Sequence, residues 1–307
     1  MDRLESMAIL VDVAAAGSLS AAARRLRMPL PSLSRKISEL ETHLKIKLLN
    51  RSTRLLTLTD AGRDYVAACK RILEDVEAAE RAATGEYHAP KGELFITSPV
   101  TFGRVHMLPV VTAFLQAYPD IDVRLTFNDR VVNLQEEHID LGARIGELPD
   151  SSLMAVRIGE VRRVVCASRD YLAARGTPGH PSDLINHDCV SFAPMSQADT
   201  WDFVVGKATE MFPVHSRLVA GSADAAIEAA IAGMGVTRLF SYHVARAEQA
   251  GILATILRDF EPAAMPVHLV YPAGRMIPLK LRAFLDFATP RLKAGLEAPN
   301  SWQAVLA

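Results

Sequence analysis

The sequence has no long uninterrupted run of apolar residues and no basic leader at its start. None of its apolar stretches approaches the roughly 18 to 20 residues that a helix needs to cross a bilayer. The first ten residues, MDRLESMAIL, carry acids where a secretory signal begins with basic residues. The sequence therefore predicts a cytoplasmic protein with no membrane partner.

Cysteine is scarce, with three residues in 307. Cys69, Cys166 and Cys189 are widely spaced and form neither a CxxC pair nor a Cys/His metal pattern. This spacing argues against a disulfide framework and against a structural metal. Each thiol is expected to act as a small buried hydrophobe, and a redox-sensing thiol remains an open alternative.

The motifs of common enzyme classes are missing. The chain contains no GxSxG, HExxH or P-loop pattern, and Gly233-Met234-Gly235 lacks the third glycine of a dinucleotide fingerprint. The nine histidines are scattered without ligand spacing. We therefore predict a protein that is not an enzyme and holds no cofactor. An enzyme on an α/β scaffold remains a rival hypothesis that any turnover by the purified protein would support.

The net charge of -1 conceals a basic N-terminal region. Residues 1–65 contain 11 Lys/Arg and 7 Asp/Glu, and residues 24–54 contain nine basic residues against two acids, Glu39 and Glu41. A concentration of positive charge at one end of a chain is typical of a surface that contacts a phosphate backbone. It weighs against a second rival hypothesis, a small-molecule binding protein whose N-terminal helices serve only dimerisation.

Three short helices are predicted at the N-terminus. Leu4, Ala8, Val11 and Ala15 indicate one face of a first helix that ends at Gly17. Ser18 is placed to cap a second helix, over residues 19–26. After a turn, a third helix is predicted over residues 30–44, and Pro31 is tolerated in its first turn. The core face predicted for this third helix consists of Leu33, Ile37, Leu40 and Leu44.

The other face of the third helix is polar and suits contact with DNA. Serine, arginine and lysine side chains there can reach phosphates and base edges, as in a helix that enters a major groove. Residues 47–58 then alternate as a short β-hairpin, a wing with basic residues at its tip. The candidate DNA contacts are Ser18, Leu30, Pro31, Ser32, Ser34, Arg35, Lys36, Arg51 and Arg54. Leu30 and Pro31 could pack on a thymine methyl or only shape the turn.

A long amphipathic helix is predicted from Asp60 to about Ala83, with apolar residues at Val66, Cys69, Leu73 and Val76. It suits either a coiled-coil-like dimer seam or packing on its own domain. A hinge follows at residues 85–92.

Beyond residue 92, short apolar strands alternate with helices, which predicts an α/β domain with a largely parallel sheet. Strands are expected near residues 94–97, 123–127, 141–144, 163–167, 190–192, 236–239 and 267–271, and helices near 102–116, 223–232 and 278–292. The unit at 94–117 is echoed at 217–234, which indicates two lobes. Trp201 and Phe240 are expected in the core.

Hydroxyl side chains stand where two of these strands lead into helices. Ser98 and Thr101, with the free N–H groups of a helix N-terminus, could hold a carboxylate or other anion, or they could simply cap the helix. Arg144 could balance an anionic ligand or form an internal ion pair. The candidate effector contacts are Ser98, Thr101, Asn128, Arg144 and Ser222.

The N-terminal sequence resembles the LysR-type transcriptional regulators. The residues that carry the resemblance are the runs GSLSAAARRL at 17–26, LSRKI at 33–37, LLNR at 48–51 and LTDAG at 58–62. Weaker landmarks in register, such as Tyr118-Pro119 and the run AGMGV at 232–236, extend it over essentially the whole chain. The sequence departs from the family in two places: Pro29-Leu30 stands for the usual Ser-Gln at the start of the recognition helix, and Leu49 for a wing Phe.

The resemblance implies a winged helix-turn-helix, a linker helix and a two-lobed α/β effector domain similar to periplasmic binding proteins. It implies a regulator that binds promoter DNA as a homodimer or dimer of dimers, with RNA polymerase as a further partner and an unidentified small-molecule effector between the lobes. The expected boundaries are DNA-binding domain 1–59, linker 60–91, effector domain 92–295 and tail 296–307. Within the effector domain, lobe I spans 92–162 and 267–295, and lobe II spans 163–266.

Overall fold

A computed structural model describes residues 2–51, 56–84, 89–148, 152–194, 200–273 and 277–297. The chain divides into two compact units, Met1–Ala89 and Pro90–Ala307. Among the described residues no single helix is long and apolar enough to span a membrane, and the first two helices satisfy that test together only across a 118° bend.

The N-terminal unit contains three helices, a hairpin and a long helix. Its elements are α1 (Arg3–Ala16), α2 (Leu19–Arg25), α3 (Leu30–Leu44), β1 (Leu49–Arg51), β2 (Leu56–Leu58) and α4 (Asp60–Thr84). Gly17 ends α1 in the left-handed conformation at φ 62°, and the Ser18 hydroxyl accepts a hydrogen bond from the N–H of Ala21. These helix limits confirm the predicted bounds to within one residue at α2 and α3.

The four residues that indicated one face of α1 do not all face the core, and of these Val11 packs against it. Leu4 is 41% exposed and Ala15 is also exposed, whereas Ile9, Leu10 and Val13 are buried in the core of the unit. The segment is apolar over most of its circumference, so its periodicity does not select one face. Packing against α2, α3 and α4 makes that choice.

The core face of α3 is confirmed in part. Leu33, Ile37 and Leu40 are buried, and Leu44 is half-buried against the same core. Leu49, which stands in place of the wing Phe, is 4% exposed and keeps its apolar anchoring role.

The second unit has two lobes, each built on a five-stranded sheet. Lobe one contains β3 (Gly92–Ser98), α5 (Val100–Phe102), a π-helical turn (Gly103–Met107), α6 (Leu108–Ala117), β4 (Ile121–Phe127), β5 (Leu141–Ile145) and β6 (Leu153–Val161). Lobe two contains β7 (Arg163–Ser168), α7 (Arg169–Arg175), β8 (Asp188–Phe192), β9 (Thr200–Val205), β10 (Ala208–Pro213), β11 (His215–Ala220), α8 (Ala223–Ile231), β12 (Val236–Phe240), α9 (Ser241–Gln249) and β13 (Leu253–Ile256). The chain then returns to lobe one as β14 (Met265–Pro272) and α10 (Leu279–Glu297).

The sheets are mixed, so the expectation of a largely parallel sheet is wrong. In the first sheet, ordered β4-β3-β5-β14-β6, β3 is parallel to β4 and β5, and β14 is antiparallel to β5 and β6. In the second, ordered β11-β8-β12-β7-β13, β8 is parallel to β11 and β12, and β7 is antiparallel to β12 and β13. Strand direction depends on how the chain crosses between lobes, which an apolar run does not encode.

Several strands and helices were not predicted from the sequence patterns. The strands β6, β9, β10 and β13 were not predicted, and neither were the helices α7 and α9. β6 and β13 are edge strands, and most residues of β10 are exposed, so these segments lack the continuous apolar run of a buried strand.

An ion cluster fastens the β9–β10 hairpin to the second sheet. The carboxylate of Asp202 in β9 accepts two hydrogen bonds from Arg163, at 3.0 and 2.8 Å, and one from Arg238 at 2.9 Å. Burial acts to raise the pKa of Asp202, but the two guanidiniums outweigh it and lower that pKa. Trp201, fully buried beside Arg238, confirms its predicted place in the core, as does Phe240 at 8% exposure.

Candidate nucleic-acid interface and effector site

The turn between α2 and α3 sets the orientation of the recognition helix. Arg27 adopts a left-handed conformation at φ 50°, and the N–H of Met28 bonds to the carbonyl of Ala23 at 3.0 Å. Pro29 occupies the N-cap of α3 and supplies no side-chain hydrogen bond. The first turn of α3 therefore presents backbone N–H groups without a side-chain cap, which suits contact with a phosphate.

The outer face of α3 presents an apolar residue followed by a cation. Leu30 is 42% exposed at the start of the helix, and Pro31 beside it is also exposed. The side chain of Arg35 is 73% exposed and lies 3.8 Å from Glu39 one turn later. Ser32 and Ser34 are half-buried on this part of the helix. A surface ion pair at such a distance is weak, so Arg35 can exchange it for a phosphate or a base edge at little cost.

Lys36 is engaged within the unit. Its ammonium forms an ion pair with Glu5 of α1, and its side chain is 25% exposed. A similar pair joins Arg25 of α2 to Asp12 of α1. These contacts hold α1 against the two helices of the motif, so Lys36 is less available to DNA than Arg35.

The wing is an antiparallel hairpin in which Leu49 pairs with Leu58 and Arg51 with Leu56. The predicted contact Arg54 lies outside the described residues, as does the side chain of Arg51. Contact of Arg51 and Arg54 with DNA therefore stays a prediction from the sequence.

A buried carboxylate fixes the start of the wing. The side chain of Glu41 is 2% exposed and accepts hydrogen bonds from Leu48 N at 2.9 Å, Leu49 N at 3.2 Å and Lys47 Nζ at 3.0 Å. Burial would raise the pKa of Glu41, but these bonds outweigh it and lower that pKa. From the sequence, Glu41 stood out only as one of two acids in a basic region and, with Leu40, as part of the family resemblance. Its position next to Leu40 on the buried face of α3 was the available signal.

The linker helix α4 packs on its own unit over its first part. Val66 and Cys69 are buried, and α4 packs against α1. Leu73 and Val76 are half-buried, and Ile72 is 40% exposed. Of the two roles predicted for this helix, packing on its own domain holds for the N-terminal half of its apolar stripe.

On lobe one, Ser98 and Thr101 stand where β3 leads into helix α5. Both residues are buried, at 1% and 4% exposure, and the Ser98 hydroxyl has no hydrogen-bond partner. The predicted free N–H groups are not all free, because the N–H of Val100 donates to Asp129 Oδ1 at 2.9 Å. Asp129, just beyond the end of β4, thus occupies part of the position that the sequence offered to an anion.

Asn128 and Arg144 form local contacts at the same edge of the first sheet. The amide oxygen of Asn128 accepts from Arg130 N at 2.9 Å, and its backbone N–H donates to the carbonyl of Ser98 at 2.9 Å. The guanidinium of Arg144 donates to the carbonyl of Val132, and burial lowers its pKa. Arg144 therefore holds the segment after β4 instead of standing free as a counter-ion.

On lobe two, Ser222 caps α8 by accepting a hydrogen bond from Ala225 N at 3.3 Å. Two residues later, Asp224 pairs with Arg104 of the lobe-one π turn at 3.2 Å. The structure thus brings the two predicted helix starts to the same interlobe site, defined by Ser98, Thr101 and Asp129 on lobe one and by Ser222 and Asp224 on lobe two.

Rings from both lobes pack beside this site. His106 of the π turn lies 4.9 Å from Phe102 and 5.6 Å from Tyr242 of α9, centroid to centroid. Burial lowers the pKa of His106 to about 4, and burial together with the charge of Arg104 lowers that of His243 to about 3. Both imidazoles are therefore neutral at pH 7. Sequence analysis did not predict this cluster, because its members are far apart in the chain.

The comparisons with known proteins agree with this architecture. Residues 4–63 match the description "Bacterial regulatory helix-turn-helix protein, lysR family", and residues 88–293 match the LysR substrate binding domain. An HTH-type transcriptional repressor of Pseudomonas aeruginosa is 34% identical over 94% of this chain and 91% of its own length. An uncharacterised HTH-type regulator of Haemophilus influenzae is 32% identical over 92% of this chain and 98% of its own.

Solved structures of related regulators match most of this chain. CrgA from Neisseria meningitidis, a LysR-type transcriptional regulator, has a TM-score of 0.61 and 31% identity, covering 94% of this chain and 98% of that one. AphB, the virulence activator of Vibrio cholerae, has a TM-score of 0.60 and 28% identity over 93% and 98% of the two chains. The helix-turn-helix match favours DNA binding over N-terminal helices that serve only dimerisation. The chain belongs to the LysR family of bacterial DNA-binding transcriptional regulators, with a substrate-binding effector domain.

Proposed function

We propose that α3 is the helix that reads DNA and that Arg35 is its principal contact. The observation that carries this proposal is the 73% exposure of the Arg35 side chain on a helix whose other cation, Lys36, is paired with Glu5. An arginine in this position can bind a guanine edge or a phosphate. Leu30, 42% exposed at the helix start, supplies apolar contact for a thymine methyl.

The remaining predicted contacts support this helix. Ser18 lies at the N-terminus of α2, and Pro31, Ser32 and Ser34 line the first turns of α3. Arg51 and Arg54 of the wing contact the phosphate backbone or the adjacent minor groove, and Lys36 contributes only once its pair with Glu5 opens.

The regulator works as a homodimer or dimer of dimers on promoter DNA in the cytoplasm. Two copies of α3 occupy successive major grooves of an interrupted palindrome. A small-molecule effector binds at the interlobe site through Ser98, Thr101, Asn128 and Ser222, and Arg144 contributes only once its hydrogen bond to the carbonyl of Val132 opens. Effector binding changes the lobe arrangement and hence the spacing of the bound dimers, which alters access of RNA polymerase.

The test is binding of the purified full chain to duplex DNA from upstream of its own gene, followed by fluorescence anisotropy at two salt concentrations. We expect Arg35→Ala to weaken selected binding by about 10- to 100-fold, the range for losing one specific arginine contact. If that contact is to a phosphate, the slope of the logarithm of the binding constant against the logarithm of the salt concentration falls by about one. Arg157→Ala, which removes an arginine with a 61% exposed side chain from β6, is the matched control and leaves affinity unchanged. Binding no stronger than to a polyanion, or equal loss in both variants, contradicts the proposal.

A further inference from the structure

The helix N-terminus at the interlobe site already holds a carboxylate that belongs to this chain. The N–H of Val100, the first residue of α5, donates to Asp129 Oδ1 at 2.9 Å. Pro99, which precedes it, has no N–H to offer and provides no side-chain cap. Asp129 therefore caps this helix from the end of β4, 29 residues further along the chain.

The position that Asp129 occupies is the one most favourable to negative charge. Helix α5 continues through the π turn into α6, because Gly103 and Leu108 at the two junctions keep right-handed helical angles. The positive end of a helical run from residue 100 to residue 117 therefore points at the interlobe site. An anionic ligand would have to displace the Asp129 carboxylate or bind close to a like charge.

Beside Asp129 the site has an unsatisfied hydroxyl, and Arg104, the cation that joins the two lobes there, is already paired. Ser98, two residues before Val100, is 1% exposed and its hydroxyl has no hydrogen-bond partner, so the fold leaves a buried polar group unsatisfied at this end of the site. Arg104 is neutralised by Asp224 across the lobes, at 3.2 Å. Burial raises the pKa of Tyr242, and the charge of Asp129 raises it further, so the carboxylate acts on both lobes.

We propose that Asp129 fills the anion position of the interlobe site, and that the effector presents hydrogen-bond donors to it instead of a carboxylate. The ligand class is therefore an amide, hydroxyl or protonated amine, attached to a group that suits aromatic neighbours such as Phe127, 39% exposed at the end of β4. This inference rests on the proposed effector role of the interlobe site, and it replaces the anionic ligand expected from the sequence.

Two probes of equal shape test this assignment, benzoate and its neutral counterpart benzamide. Titration calorimetry of the full chain measures both in the wild type, in Asp129→Ala, which opens the position, and in Asp129→Asn, which removes the charge but keeps an oxygen for Val100 N. We expect the wild type to bind benzamide more tightly than benzoate. Benzoate affinity rises at least about tenfold in Asp129→Ala and at least about threefold in Asp129→Asn, because a like charge at contact distance has been removed.

The control variant is Asp122→Ala, which removes the same charge from an exposed residue near the other end of β4 and leaves both affinities unchanged. The proposal is overturned by benzoate binding that is unchanged or undetectable in both Asp129 variants. It is equally overturned by a benzamide gain as large as the benzoate gain, which would reflect a larger space and not a freed anion position. Anisotropy with promoter DNA on the same samples reports the DNA-binding function separately, so a failure there is distinguishable from a failure at this site.

Discussion

At the scale of single residues, the second unit buries histidine and cysteine side chains in their uncharged forms. His106 packs against the rings of Phe102 and Tyr242, and its Nε2 is buried without a partner. Burial raises the pKa of the Cys166 and Cys189 thiols to about 12, which suppresses the reactive thiolate at pH 7. The buried state expected for these cysteines is confirmed, and burial disfavours the redox-sensing alternative.

The lowered pKa of His106 predicts acid sensitivity. The ring is neutral in the folded chain down to a pKa of about 4, whereas an unfolded histidine takes up a proton near pH 6.5. Its contribution to stability is therefore complete above pH 6.5 and is lost as the pH falls from 6.5 towards 4. His106→Phe keeps the ring packing without the titration, and should retain about 2 kcal/mol more of its stability than the wild type between pH 7.5 and pH 5. Denaturant unfolding of both proteins at the two pH values measures this difference.

His215→Ala is the control for that comparison, because the His215 side chain is 71% exposed. Its loss of stability on acidification should match that of the wild type. Identical acid sensitivity of His106→Phe and the wild type would show that this ring does not titrate on unfolding.

At the scale of elements, one backbone segment joins the recognition helix, the wing and the linker helix. Leu48 donates its N–H to Glu41 at 2.9 Å, and its carbonyl accepts from Thr59 N at 3.0 Å. A Cβ at Gly62 of α4 would stand 2.0 Å from that carbonyl, so only glycine allows α4 to start so close to the wing. Leu48 thus contacts both α3 and α4 at the start of the wing.

Removing the Glu41 carboxylate should release the wing. Glu41→Ala leaves the buried N–H groups of Leu48 and Leu49 without a partner, which costs roughly 2 to 4 kcal/mol. We expect a lower unfolding midpoint and a DNA affinity reduced together with it, measured by thermal unfolding and anisotropy. Glu39→Ala on the exposed side of the same helix is the control, and its stability should stay within about 0.5 kcal/mol of the wild type. Equal stability of the two variants would refute a structural role for Glu41.

At the scale of the whole molecule, the second half of α4 is left with apolar residues that its own unit does not fully bury. Ile72 is 40% exposed, and Leu73 and Val76 are half-buried. Residues at i and i+4 of a helix share a face, so Ile72 and Val76 form a short apolar stripe. A second copy of this helix is the partner we expect for such a stripe, given the dimer on palindromic DNA proposed above.

A charge on this stripe should separate the dimer. We expect Ile72→Glu to weaken self-association at least about tenfold, because a carboxylate would be buried in the seam. Sedimentation velocity over a concentration series measures the change, and DNA affinity should fall with it. Lys70→Glu, at an exposed position on the other side of α4, alters charge without touching the stripe and keeps the dimer. A dimer that survives Ile72→Glu would place the interface elsewhere.

The sequence by itself determined the features that depend on neighbours along the chain. Gly17, Ser18 and Pro31 mark helix ends through their own backbone preferences, and the helix-turn-helix and the family follow from residues at close, fixed spacing. Buried strands such as β5, β7 and β12 were also predictable, because a continuous apolar run can be recognised without knowing which strand it pairs with.

Only the tertiary structure decided which residues meet across long separations. It selected the inner face of α1, paired Lys36 with Glu5, made half the pairings within the two five-stranded sheets antiparallel and brought Asp129 to the N–H of Val100. Periodicity records how apolar a face is but not which neighbour covers it, and a carboxylate carries no local sign of the distant amide it will cap. For that reason the sequence left open an anion site or a simple helix cap at the start of α5, where the folded chain supplies its own acid.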